Sequence, residues 1–326
     1  MRYPFLASLV LFAGCTDDNG PDEPEVDTTA DVAETDLPLA DVEADADASD
    51  ATAPDISGVP DVSDDVEMGV CGPIEPTHVF VVSELRFARD VGGVSPGFDL
   101  DSRASDGADR QGCQKVDFES VEGVPGVDNQ FARLLPAIEA AGGLAFEGLI
   151  QDAINAGNIL ILFEMESADS LDEDDCVSVI IQRGEGLPIV NRDNRIEGGQ
   201  TFDRNTEITQ SRTDEASIVD GLLTLEDVAF EIPAYVFTFE FLIPVTDARI
   251  EMQVNPDGTA TGIVGGGISV DALIAVVNSI DGAGGVPDAV TALAPGLADL
   301  FPDENGDCQS VSVALELEAV PAFFYQ

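Results

Sequence analysis

Arg249-Ile250-Glu251-Met252-Gln253-Val254-Asn255-Pro256-Asp257-Gly258-Thr259-Ala260-Thr261 is the stretch on which the fold turns. Polar and apolar side chains alternate from 249 to 254, the period of a strand with one buried face. Asn-Pro-Asp-Gly then reverses the chain: Pro presets φ, and Gly accepts the positive φ that the turn needs. A second strand follows at Thr259. The reading is a β-hairpin.

Further strands extend outward from this hairpin. Phe237 to Phe241 has the same period of two, and Leu222–Ile232, Ile159–Met165, Val177–Ile181 and Val311–Leu317 read as strands. Short connections within 217–264 predict an antiparallel meander. Helical spacing occurs twice, at Phe131, Leu134, Leu135 and Ile138 with Asp128 as N-cap, and at Leu273, Val276, Val277 and Ile280. Each run is followed by a Gly-Gly break, a second helical stretch, an acidic turn and a cysteine, which suggests an internal duplication. The expected fold class is therefore α+β: an antiparallel meander with two helical hairpins.

The chain has 326 residues, 64 acids against 13 bases, one His and no Trp. A formal charge of −51 excludes nucleic acid as a partner, because phosphate backbones are bound through Lys and Arg. Residues 16–70 carry 19 of the acids and no base or aromatic side chain. Such a segment cannot bury enough surface to offset its ordering entropy, so a disordered linker is expected. As a neutral coil its 55 residues would span roughly 40 Å, and self-repulsion lengthens that. Residues 71–326 keep 45 acids and 12 bases, a charge near −33. A folded domain of that charge suits saline surroundings, where screening removes self-repulsion.

Arg2, the mostly apolar run from Tyr3 to Ala13, and Phe12-Ala13-Gly14-Cys15 form a short export signal ending in small residues and a cysteine. This resembles the lipobox of bacterial lipoproteins, with Phe12 where Leu is usual. The resemblance implies a signal peptide over 1–14, acylation of Cys15, and a membrane partner reached through that lipid anchor. Thr16, where Asp signals inner-membrane retention, implies the outer membrane or cell surface. The expected organisation is then 1–14 signal, 15–70 lipidated Cys and linker, and 71–326 globular domain.

Cys71, Cys113, Cys176 and Cys308 remain in that domain. Four cysteines in an exported domain imply two disulfides with three possible connectivities. Zinc fits worse, since structural sites use closely spaced pairs and the nearest two cysteines are 42 residues apart. We expect Cys71–Cys113 and Cys176–Cys308, because Cys176 and Cys308 open equivalent strands of the two halves.

Phe98 to Asp109 places Asp99, Asp101, Asp106 and Asp109 in a Gly-containing loop. Carboxylates so placed can wrap Ca²⁺, which takes six to eight oxygens. The loop resembles the Asp-rich loops of thrombospondin type 3 and dockerin repeats, with Arg103 and Arg110 at two of the ligand places. Asp303-x-Asn305-x-Asp307 is a partial second match. Gly262 to Gly267 lacks the phosphate-loop spacing and a following Lys, so it reads as a close-packing device. Gly93-Val94-Ser95-Pro96-Gly97 has nucleophile-elbow spacing, but Pro96 lacks the N–H that an oxyanion hole needs, and His78 precedes the serine. Glu164 and Glu240 stand in apolar strands and are expected to face solvent.

The function expected from these features is a non-enzymatic, lipid-anchored envelope protein with a structural or binding role and calcium stabilisation. The alternative is a secreted hydrolase using carboxylates or a metal, which would gather two or three acids in a concave pocket.

Overall fold

The computed structural model describes residues 70–325 apart from 75–76, 111–112, 143–145, 209, 237–238 and 280–283. Of residues 142, 146, 232–236 and 239–242 it describes the backbone alone. Cys15 and the expected signal and linker up to residue 69 lie outside the described residues.

In chain order the elements are β1 (His78–Phe87), β2 (Phe118–Glu119), β3 (Pro125–Val127), α1 (Phe131–Gly142), α2 (Phe146–Asn155), β4 (Ile161–Glu166), β5 (Asp174–Glu185), β6 (Gln200–Arg204), β7 (Ser211–Val219) and β8 (Leu222–Val236). Then come β9 (Phe239–Val254), β10 (Ala260–Ser269), α3 (Val270–Ser279), α4 (Val286–Leu297), β11 (Leu300–Pro302) and β12 (Cys308–Phe324).

The alternation at 249–254 does what its period requires. Ala248, Ile250, Met252 and Val254 are buried, while Gln253 is exposed and Arg249 and Glu251 are half-buried. Asn255 to Thr259 turns the chain, and Ala260 pairs with Val254. Repeating this pattern around the sheet gives a ring. β1, β4, β5, β7, β8, β9, β10 and β12 pair antiparallel in that order, and β12 pairs back to β1, with Val79 opposite Ala322 and Phe87 opposite Leu315. Eight strands thus close into a barrel whose inward side chains fill its interior.

This corrects the expected α+β class. The protein is mostly β, and the four helices among the described residues are inserts in two connections of one up-and-down barrel. Nor do the two helical hairpins head separate, duplicated units. The first is followed by two barrel strands, β4 and then the cysteine-bearing β5, whereas the second leads through the short β11 into β12. Local amphipathic patterns cannot reveal closure, which depends on residues more than two hundred positions apart.

Antiparallel alternation puts every helix at one end of the barrel, beyond the C-terminal ends of β1 and β10. α1 packs on α4, and α2 touches both β1 and β8. Those two strands are opposite walls of the ring, so α2 lies across this end. Pro136 sits inside α1 without ending it.

The ring order also decides the disulfides. The pairs are Cys71–Cys176 and Cys113–Cys308, with Cα separations of 5.3 and 6.0 Å, inside the range a disulfide spans. The expected Cys71–Cys113 and Cys176–Cys308 pairing is wrong for a simple reason. Cys176 opens the upward strand β5 and Cys308 opens the downward strand β12, so they stand at opposite ends of the barrel.

Two long segments cover the outside of the wall. Residues 88–110 and 113–130 lie over the upper part of β10 and β12, anchored where the Asn129 side chain donates to Ala88 O (3.1 Å) and accepts from Ala314 N (3.1 Å). The glycines of β10 admit this cover: an added Cβ would stand 2.7 Å from Phe98 at Gly265 and 2.6 Å from Phe301 at Gly267. The second cover, residues 186–205, includes β6, which runs parallel to the end of β12. Beneath it Glu164 is buried, accepting from Gln182 Nε2 (2.5 Å) and paired with Arg204, which corrects its expected exposure. The side chain of Glu240 lies outside the described residues.

Candidate functional site

The upper cover brings carboxylates together. Asp128 follows β3 and precedes α1, and it is 2% exposed. It was expected to cap the helix. Its carboxylate instead accepts the N–H groups of Leu100 (2.8 Å) and Asp101 (3.3 Å), drawing the acidic loop inward. Oxygen atoms of Asp99, Asp101 and Asp128 then all lie within 4.8 Å of one another. Gly126 permits this approach: at φ +110 it leaves room for the Asp99 carboxylate, 3.3 Å from where a Cβ would be.

Around this trio stand two further acids. Asp117 accepts the Ser105 N–H (2.5 Å). Asp299 is buried on the barrel wall and takes both hydrogen-bond donors of Ser312, the backbone N–H at 2.8 Å and the hydroxyl. Leu100, Asp101, Asp299 and Phe301 line a cleft of about 300 Å³ beside them.

The electrostatics follow from placing so many acids in partly desolvated positions. Burial pushes the Asp128 carboxyl up to about 8, and Asp299 adds to the rise. Burial pushes Asp299 up to about 7 against the opposing hydrogen bonds of Ser312. Asp101 rises to about 6 through burial, helped by Asp117 and Asp99. Asp117 is also raised by burial, against the Ser105 N–H. One oxygen of Asp101, Oδ1, is buried with no hydrogen-bond partner. Arg103 and Arg133 offset the rise at Asp101 and Asp117 only in part, and buried carboxylates so placed are compensated either by protons or by a bound cation. Three carboxylates around one point supply the hard oxygen donors that Ca²⁺ selects.

Of the four loop acids expected to bind metal, Asp99 and Asp101 belong to this group, and Asp106 and Asp109 do not. Asp106 accepts its own loop's Ala108 N–H (2.9 Å), and Asp109 faces Arg103 at 3.8 Å. Asp128, Asp117 and Asp299 were missed as site residues. They lie from 16 to 198 residues beyond Asp101, and no local motif joins them.

The remaining motifs resolve as packing and turns. Asp303 accepts the N–H groups of Asn305 (2.8 Å) and Asp307 (2.9 Å), a self-satisfied exposed turn whose bonds hold its carboxyl below the ordinary range. Ser95 is fully buried, accepting from Asn129 Nδ2 (2.8 Å), so it is no exposed nucleophile. Gly262 to Gly267 lies within strand β10. No helix among the described residues is long and apolar enough to cross a membrane.

No family model, curated protein or solved structure matches this chain.

Proposed function

We propose that this chain is a lipid-anchored protein of the bacterial cell envelope, acylated at Cys15, whose barrel binds a divalent cation, Ca²⁺ by donor chemistry, on its outer shelf. Its role is structural or binding. The observation that carries the cation reading is the meeting of Asp99, Asp101 and Asp128, together with a buried Asp101 oxygen that has no hydrogen-bond partner. The export signal of residues 1–15 supports the anchor, and two cysteine pairs at disulfide distance fit an oxidising compartment.

The hydrolase reading has one observation in its favour, since Asp101 and Asp299 share a cleft. Against it, both oxygens of Asp299 accept from Ser312, and among the described residues no further acid lines that cleft.

Thermal unfolding of the full chain in EDTA and in millimolar Ca²⁺ tests the cation. A ligand of the folded state must raise the midpoint, and Asp128→Asn must shrink the rise; equal midpoints would overturn the site. The anchor is tested with Cys15→Ser, which must leave the membrane fraction after export.

A further inference from the structure

The barrel wall is not sealed evenly. β8 and β9 pair along their whole length, from Leu222 opposite Gln253 to Val236 opposite Phe239. β7 and β8 pair over three positions only, Ser217–Val219 against Leu222–Thr224. Above these, β8 bulges against β9 between Leu225 and Val228, β9 bulges in turn between Ala248 and Val245, and the β7–β8 pairing does not resume. Ser211 Oγ reaches across the gap to donate to Ala229 O at 2.6 Å.

The gap opens on a cavity of about 310 Å³ that reaches the core. Its floor is the inward-facing Ile181 and Val245, 6% and 1% exposed, with Ile161 and Phe230 beside them. The rim carries two amides, with Gln210 Nε2 donating to Gln182 Oε1 at 2.9 Å, and the exposed Glu231. Arg183 stands at the same rim, with its guanidinium donating to Asn158 O at 2.8 Å. An apolar floor with a few polar groups at its mouth is the form of a small-molecule site.

From this geometry we infer that the β7–β8 seam is a binding portal for a small uncharged amphiphile, an alkyl or acyl chain of about eight to ten carbons with a hydroxyl or amide head. The chain lies on Ile181 and Val245, and the head meets the Gln182–Gln210 amides. Arg183 and Glu231 give the mouth one charge of each sign, so neither a cationic nor an anionic head is selected, and the domain's charge near −33 further repels an anion.

The test uses the full chain carrying Cys15→Ser, which needs no detergent, and the uncharged fluorophore N-phenyl-1-naphthylamine. Saturable one-to-one binding is expected, displaced by 1-decanol and at least about tenfold less well by decanoate or decyltrimethylammonium. Two variants locate the site. Ala229→Trp plugs the mouth from an exposed position, and because the chain has no other Trp its emission reports whether the ring is buried. Ile181→Phe fills the floor. Either variant, folded by its thermal midpoint, should lose at least tenfold in affinity. Absence of saturable binding, or affinity kept in both variants, overturns the portal; displacement by the ammonium or the carboxylate equal to that by the alcohol overturns the uncharged head.

Discussion

The ring of Phe98 lies against the bare backbone of Gly265, 2.7 Å from the place a Cβ would occupy. The Phe98 carbonyl also accepts the Asp128 N–H (2.8 Å), so one contact seats both the cover and the acidic shelf on the barrel. Gly265→Ala should therefore cost about 1–3 kcal/mol, the range of an overpacked core, read as a lower urea midpoint. Gly267→Ala should cost less, because the partner ring of Phe301 is 37% exposed and can swing away.

Peptide mapping without reduction should recover Cys71 linked to Cys176 and Cys113 linked to Cys308. Replacing Cys113 and Cys308 together by Ser should lower stability by about 2–5 kcal/mol. A Cys176–Cys308 peptide would contradict the strand order.

The acidic shelf makes a pH prediction for cation-free protein. Asp101, Asp299 and Asp128 have folded values raised to about 6, 7 and 8. Between the ordinary aspartate value near 4 and these values the folded state holds protons that the unfolded chain has released. Stability must then fall as pH rises through this window and level off above pH 8. Urea midpoints in EDTA at pH 5, 7 and 9 should show the decline, and Asp128→Asn should flatten its upper part.

Glu164→Leu should destabilise by about 1–3 kcal/mol, because the Gln182 amide loses its acceptor inside the wall. Arg204 is 40% exposed and recovers water, which keeps the loss from growing. Equal urea midpoints for the variant and the parent would refute this.

Charge repulsion predicts that NaCl raises the thermal midpoint. The effect should saturate near 1 M, where screening reaches about 3 Å. An unchanged midpoint between low and high salt would count against a domain suited to saline surroundings.

The helices and most of the barrel strands were legible because each follows from side-chain period within a few residues, whereas β6 and β7 were not read. The turn at Asn255 to Gly258 and the apolar stripe from Phe131 to Ile138 are such local signals. Closure was not legible: nothing near Val79 announces Ala322 as its partner. The same limit explains the site. Asp99 and Asp101 stood out as loop acids, but Asp128 looked like a helix cap, and Asp299 looked like one acid among many. Only the long segment folded back over β10 and β12 brings them together. The cysteines were legible as paired, while their partners depended on strand direction.

Ring closure sets a timetable for making this protein. The last strand, β12, seals against the first, so Val79 waits for Ala322. A chain made from its N-terminus must hold seven strands unsealed until its final residues arrive, and such distant pairing folds slowly. Until then β1 and β10 are open edges that could recruit other chains. Loss of the last twenty residues should accordingly be far more damaging than their number suggests, leaving an aggregating sheet where a barrel would have formed.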